Sequence, residues 1–361
     1  MTTEPRLLAF TQGDPAGIGP EILLKRLARG ADPRFRPVLI AEWAALEALR
    51  ETLPEAPWAA LRLLPAQPDR ATLLASDGIP VLDPVGLPRS IEFGAPSAAD
   101  ARGALAALDL GIELASSGVT DALVTAPVAK EPIARFVLPG FVGHTDYLAE
   151  KAGLSRYGRD YLMAFLAPGL KVALLSTHVP LRQALDGVTP QAIGEALECL
   201  VKHTRAQQAA PLRPAGDERS PSRPTSVSAD SSRSPRIAVA GFNPHAGENG
   251  LLGAEDAELV APAVAAARAR GLDVHGPESA DSLFARARQG EFDWVLALYH
   301  DQGLIAVKTA AFGEATNWTV GLPYLRTSVD HGTAYGIAGR GVADERPLAA
   351  VVETTLELLA G

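Results

Sequence analysis

Three histidines each end a separate apolar run: KVALLSTH (His178), RIAVAGFNPH (His245) and DWVLALYH (His300). Each run predicts a buried parallel strand that gives way at once to a polar loop. Ligands of open α/β sheets bind outside the carboxyl ends of the strands. Three imidazoles delivered to that edge could converge on one divalent ion. Zinc held by three protein ligands with one open position is catalytic rather than structural. A single histidine at a strand end is more often a hydrogen-bonded loop residue, so the weight lies on the repeated context. The three are far apart in sequence and match neither zinc-finger nor HExxH spacing.

Four further segments carry chemistry. The first strand runs into GDPAGIGPEI, with Asp14 in a turn of three glycines and two prolines. That turn is either a nucleotide-approach loop or a structural bend; it lacks the Lys-Ser or Lys-Thr of a phosphate-binding P-loop. GHTDYLAE puts His144 and Thr145 at a helix start, as contacts for an anionic group or as an ordinary cap. In GFNPHAGENGLLG, Gly247, Asn249 and Gly250 bend the loop around His245, and Glu248 is an extra ligand, an imidazole-orienting carboxylate or a plain exposed acid. YHDQGLIAVK supplies Asp301 and Lys308, the apolar LIAV returning Lys308 toward His300. With Asn317 and Arg326 downstream, Lys308 would form a phosphate clamp of one point charge, one amide and one bidentate fork.

The elements that must position these residues alternate along the chain. Apolar runs predict strands at 6–12, 37–41, 121–126, 161–167, 171–176, 236–242 and 293–299. Helical patterns fall at 20–29, 43–52, 98–117, 144–152, 190–207, 255–270, 280–289 and 344–359. Thr189 and Pro190 read as a cap and first turn, and Gly271 as a stop. The alternation implies an α/β fold with mostly parallel sheets. Residues 206–235 break the pattern. They are rich in Ser, Pro and Arg and read as a disordered surface insertion, with a phosphorylatable tract as the alternative.

Composition bounds the rest. A chain of 361 residues suggests two domains. A net charge of −9 argues against nucleic-acid or anionic-membrane binding over a broad surface, so an anionic substrate needs a local basic cluster. Cys199 is the only cysteine, which excludes an intramolecular disulfide and a cysteine metal cage. Its setting in EALECLVKH predicts a buried helix position. The amino-terminal residues do not read as a signal peptide and no long apolar run predicts a membrane span, so the expected location is cytoplasmic.

Taken together, GDPAGIGPE, GHTDYLAE, STHVPL, GFNPHAGENG, YHDQGLIAVK and NWTVGLPYLRTSVDHGTAYGIAGRG closely resemble the 4-hydroxythreonine-4-phosphate dehydrogenase family of vitamin B6 biosynthesis. The resemblance covers nearly the whole chain. It implies metal ligation by His178, His245 and His300, with zinc, cobalt or magnesium as the ion. It implies substrate binding by His144, Thr145, Lys308, Asn317 and Arg326. The family is related in fold to isocitrate and isopropylmalate dehydrogenases: two α/β/α domains with the active site in the interdomain cleft. DHGTAYGIAGRG is similar to their cofactor-binding segment, which implies NAD, with NADP as the alternative, near Asp14, His331, Gly332 and Thr333. The expected domains are 1–140 with 306–361, and 141–305. A homodimer with its active site at the subunit interface is implied as well.

The implied reaction is metal-assisted oxidation of 4-phosphohydroxy-L-threonine at its C3 hydroxyl, then decarboxylation to 3-amino-2-oxopropyl phosphate. Asp301 is the candidate general base or imidazole-orienting group, and Lys308 the alternative proton carrier. Two rivals stand beside this reading. One is a paralogue acting on a phosphorylated sugar acid such as 4-phosphoerythronate. The other is a phosphate acyltransferase or a phosphometabolite-binding protein, which would need neither hydride acceptor nor metal.

Overall fold

The computed structural model describes residues 4–204 and 234–360. Most of the tract expected to be disordered, 206–233, lies outside the described residues. The chain divides into two compact units, Met1–Gly153 with Leu322–Leu356, and Leu154–Gly321 with Glu357–Gly361. Residues 141–153 therefore sit with the first unit and 306–321 with the second, opposite to the expected boundaries. Side-chain and backbone bonds account for both: the Tyr147 hydroxyl donates to Asp109 at 2.6 Å, and 316–320 form a strand paired within the second unit.

The strands of the first unit are β1 (Arg6–Thr11), β2 (Phe35–Ile40), β3 (Leu61–Leu64), β4 (Ile79–Leu82), β5 (Ala122–Thr125) and β12 (Leu325–Ser328). They run in the order β3-β4-β2-β1-β5-β12, and their pairings are parallel. Its helices are α1 (Gly19–Ala28), α2 (Trp43–Glu47), α3 (Arg70–Ala75), α4 (Ala98–Ser116), α5 (Lys130–Phe136) and α6 (His144–Lys151). Helix α12 (Arg346–Ala360) begins in this unit. Ser97 and Asp100 start α4 with a reciprocal capping box. Leu24, Leu39, Leu46, Leu61 and Val81 form one buried cluster behind β2 and β4. Each such side chain contributes roughly 1.5–3 kcal/mol by leaving water.

The second unit holds β6 (Leu162–Ala167), β7 (Leu170–Leu174), β8 (Ile237–Ala240), β9 (Val274–Glu278), β10 (Trp294–Ala297) and β11 (Thr316–Val320), in the order β11-β6-β7-β10-β8-β9. β6 pairs antiparallel with β11 and with β7. The run β7-β10-β8-β9 is parallel; the buried apolar sequences predict β7, β8 and β10, whereas β9, VHGPE, is mostly half-buried and carries no such run. Its helices are α7 (Leu181–Asp186), α8 (Pro190–Thr204), α9 (Ala261–Ala269), α10 (Ala280–Arg288) and α11 (His300–Ala310). Thr189 caps α8 as expected, its hydroxyl accepting from the Ala192 N–H at 3.1 Å. The expected 255–270 helix is not uniform. It opens as a π turn over Asp256–Val260. Pro262 lacks the N–H that a continuous α-helix would bond to Glu258, which explains the widened turn.

Helix α11 was not legible as a helix, yet it holds His300 at its first residue. Gly303 lets it lie against the sheet. A Cβ there would come within 2.7 Å of Leu174 and 2.9 Å of Val172.

Candidate active site

The three histidines sit beyond three neighbouring parallel strands of the second unit: His178 after β7, His300 after β10 and His245 after β8. Two side chains tie those strand ends together. The Ser176 hydroxyl donates to the Leu298 carbonyl at 3.0 Å. Gln302 accepts from the Leu298 N–H at 2.7 Å and donates to the Gly241 carbonyl at 2.8 Å. The His178 and His300 rings are neighbours, with centroids 5.4 Å apart. His300 Nδ1 lies 2.7 Å from the Asp301 carboxylate, which is otherwise exposed.

His245 is held differently. Its Nδ1 lies 3.5 Å from Asp281, a residue the sequence did not single out. His245 to Asn249 form a run of positive φ values (52, 51, 79, 44 and 57°), a left-handed turn that is costly for residues other than glycine. Asp256 fixes its approach, accepting from the N–H groups of Phe242 at 2.6 Å and Asn243 at 2.8 Å. Among the described residues no three His, Cys, Asp or Glu side chains are gathered as a metal-ligand set. The structure thus brings His178 and His300 together and leaves His245 on the adjacent strand end, paired with Asp281. The donor chemistry fits a borderline divalent ion, for which neutral imidazole is a preferred ligand. A groove of about 900 Å³ runs alongside, lined by Asp281, Phe284, Tyr299, Asp301, Gln302 and Ile305 among others.

Lys308 lies on α11, eight residues beyond His300 and about 12 Å along the helix axis. The LIAV segment is therefore helical and does not fold Lys308 back as a strand would. Asn317 lies on β11, and its Oδ1 is buried without a hydrogen-bond partner among the described residues. The third expected clamp residue, Arg326, belongs to the first unit.

Within the first unit, Arg326 on β12 is 1% exposed. It pairs in register with Leu123, so it shares a sheet face with Thr125 two residues on. Its Nη2 donates to the Thr125 hydroxyl at 2.6 Å. Burial pushes the guanidinium down to about 9. The same surroundings hold His144 at the start of α6: burial first, then the charges of Arg326 and Lys130, push its imidazole well below the ordinary range. His144 Nε2 is buried with no hydrogen-bond partner among the described residues, and Thr145 beside it is buried. Lys130, at the start of α5, comes close as well: a Cβ on Gly143 would lie 3.1 Å from its Cε. The sequence signal for Lys130 is a lysine straight after a buried strand and the turn APVA.

The nucleotide candidates of this unit also meet. Asp14 is buried, and burial raises its carboxyl above the usual range. It accepts from the Tyr335 hydroxyl at 2.6 Å and from the Ala16 N–H at 2.9 Å. The Thr333 carbonyl accepts from the Ile18 N–H at 3.0 Å, so the GDPAGIGPE turn lies against the segment holding His331, Gly332 and Thr333. Gly17 permits that approach, since a Cβ would stand 3.1 Å from Thr333. The His331 ring stays near its own chain, Nδ1 3.1 Å from the Gly332 carbonyl.

Comparison with known proteins gives the family of the chain. The family described as Pyridoxal phosphate biosynthetic protein PdxA matches residues 34–212 and 225–355. A 4-hydroxythreonine-4-phosphate dehydrogenase of Ralstonia nicotianae is 39% identical over 365 residues, covering 97% of each chain. A D-threonate 4-phosphate dehydrogenase of Cupriavidus necator is 38% identical over 354 residues, covering 98% of this chain and 97% of its own. The crystal structure of 4-hydroxythreonine-4-phosphate dehydrogenase from Klebsiella pneumoniae superposes with a TM-score of 0.79 at 36% identity, covering 98% of this chain and 99% of its own. Among the described residues no helix is long and apolar enough to cross a membrane. The chain belongs to the pyridoxal phosphate biosynthetic protein PdxA family.

Proposed function

We propose that the protein is a 4-hydroxythreonine-4-phosphate dehydrogenase that oxidises the C3 hydroxyl of 4-phosphohydroxy-L-threonine. The product is a β-keto acid, which loses carbon dioxide readily to give 3-amino-2-oxopropyl phosphate. The observation that carries this reading is the placement of three imidazoles on three neighbouring strand ends tied together by Ser176 and Gln302. His178, His245 and His300 are the proposed holders of zinc, cobalt or magnesium. A bound divalent ion supplies Lewis acidity toward a hydroxyl, and NAD or NADP accepts the hydride.

The chain's own residues do the rest. Arg326, His144 and Thr145 are the proposed contacts for the anionic substrate in the first unit; Lys308 and Asn317 carry the same proposed role in the second. His144, kept neutral by burial, offers a hydrogen bond rather than a charge. Asp301 beside His300 orients that imidazole or takes the hydroxyl proton, with Lys308 as the alternative carrier. Asp14 and the His331–Thr333 segment are the proposed nucleotide contacts. We further propose a cytoplasmic homodimer, which light scattering would test.

A second reading has specific support. The Cupriavidus necator relative is named for D-threonate 4-phosphate, a phosphorylated sugar acid that carries a hydroxyl at C2 where hydroxythreonine phosphate carries an amine. Both substrates should be assayed side by side for NADH formation, with chelator and with zinc, cobalt or magnesium restored. Metal-dependent turnover of the amino substrate supports the first reading. Turnover confined to the sugar acid supports the second, and turnover unaffected by chelation overturns the metal role in both.

A further inference from the structure

Tyr324 was assigned no role by the motif pattern, yet its position is unusual. It lies in the bend immediately before β12, two residues ahead of Arg326. Its hydroxyl oxygen is buried and has no hydrogen-bond partner among the described residues. A phenylalanine would fill the same space without stranding a polar atom, and a buried unpaired hydroxyl is destabilising. His144 Nε2 is stranded in the same way. The charge of Arg326 acts on both groups, and the Tyr324 phenol is pushed up to about 12 by burial despite that charge. A phenol that stays protonated is a donor.

A phenolic O–H and an imidazole nitrogen, both buried, unpaired and within the field of one buried guanidinium, match a group made of anionic oxygens. We propose that Tyr324 is a substrate-binding residue whose hydroxyl donates to the anionic oxygen group that Arg326 binds. This rests on the reading of Arg326 and His144 as substrate contacts. The group is the phosphate or the carboxylate of the same substrate, and the shared chemistry is an oxyanion bearing at least two acceptor oxygens.

The test uses the full-length protein with 4-phosphohydroxy-L-threonine. Tyr324→Phe should raise KM about tenfold or more, as loss of a hydrogen bond to a charged group does, and lower kcat far less, because the bond is made in ground and transition states alike. The thermal midpoint of the ligand-free variant should hold or rise, since the stranded hydroxyl is gone; a purely structural tyrosine would lower it. If inorganic phosphate loses inhibition by the same factor, the phosphate is the group bound. If phosphate inhibition is unchanged while KM rises, the carboxylate is. Arg326→Met separates the two levels of the argument. A raised KM in Arg326→Met with an unchanged KM in Tyr324→Phe overturns the role of Tyr324 alone. Unchanged KM in both overturns the substrate contact itself and Tyr324 with it.

Discussion

Gln302 donates its Nε2 hydrogen to the carbonyl of Gly241 at 2.8 Å. The same amide accepts from Leu298, so one side chain joins the ends of β10 and β8, and with them His300 and His245. Gln302→Glu keeps an acceptor for Leu298 but faces the Gly241 carbonyl with a second oxygen. We expect zinc or cobalt affinity, read by calorimetry, to fall roughly 10- to 100-fold, as loss of ligand-orienting groups does. Unchanged affinity, with His245→Ala abolishing binding, would show that the link does not set the ligand geometry.

Asp256 holds the entry to the left-handed turn by accepting two backbone N–H groups. Asp256→Ala leaves both donors without their acceptor in a partly buried setting. The expected loss is about 1–3 kcal/mol for each donor that finds no water, measured by urea unfolding. A loss below about 0.5 kcal/mol would mean the turn holds itself.

Gly19 opens α1 directly behind the GDPAGIGPE turn. A Cβ there would stand 1.9 Å from the Gln12 carbonyl oxygen, a backbone atom that no rotamer change can move. Gly19→Ala should destabilise by about 1–3 kcal/mol through overpacking and weaken nucleotide binding by displacing the Asp14 turn. A variant as stable as the parent, with the same Kd for NAD, contradicts this close approach.

Acid should weaken the fold through His144. Its folded-state pKa is depressed below the ordinary 6.5, so below that value the unfolded chain binds a proton that the native chain does not. Stability is then fully present above about 6.5 and is lost as pH falls, by about 1.4 kcal/mol per pH unit per proton. Asp14 works with the opposite sign: its raised value gives stability present below 3.8 and lost as pH rises through its folded value. Urea midpoints from pH 7 to pH 5 should fall less steeply in His144→Gln than in the parent. Parallel slopes would mean the imidazole protonates in the folded protein.

The sequence made the long buried strands and the histidine contexts legible because each is a continuous apolar run closed by a polar residue. It hid β11 and β12, whose residues TNWTV and LRTS mix polar with apolar side chains. Those polar members, Asn317 and Arg326, are the proposed substrate contacts, so the residues proposed to carry function are the ones that blur the strand signal. β3 and β4 are interrupted by Arg62 and Pro80 and form no continuous apolar run, and α11 begins with a histidine and carries Gly303, both of which weaken a helical pattern. The pairing of His245 with Asp281 and the nearness of Lys130 to His144 depend on tertiary approach, which no local pattern encodes.

Cys199 is the only thiol in the chain, buried on α8, and burial pushes it up to about 12. In the native state it is both shielded and protonated, and so doubly slow toward alkylating reagents. Once the chain opens, one sulfur per molecule becomes reactive. The protein therefore carries an internal clock: the rate at which a thiol reagent captures that sulfur records how often α8 leaves its place, with no label added and no background from other sites.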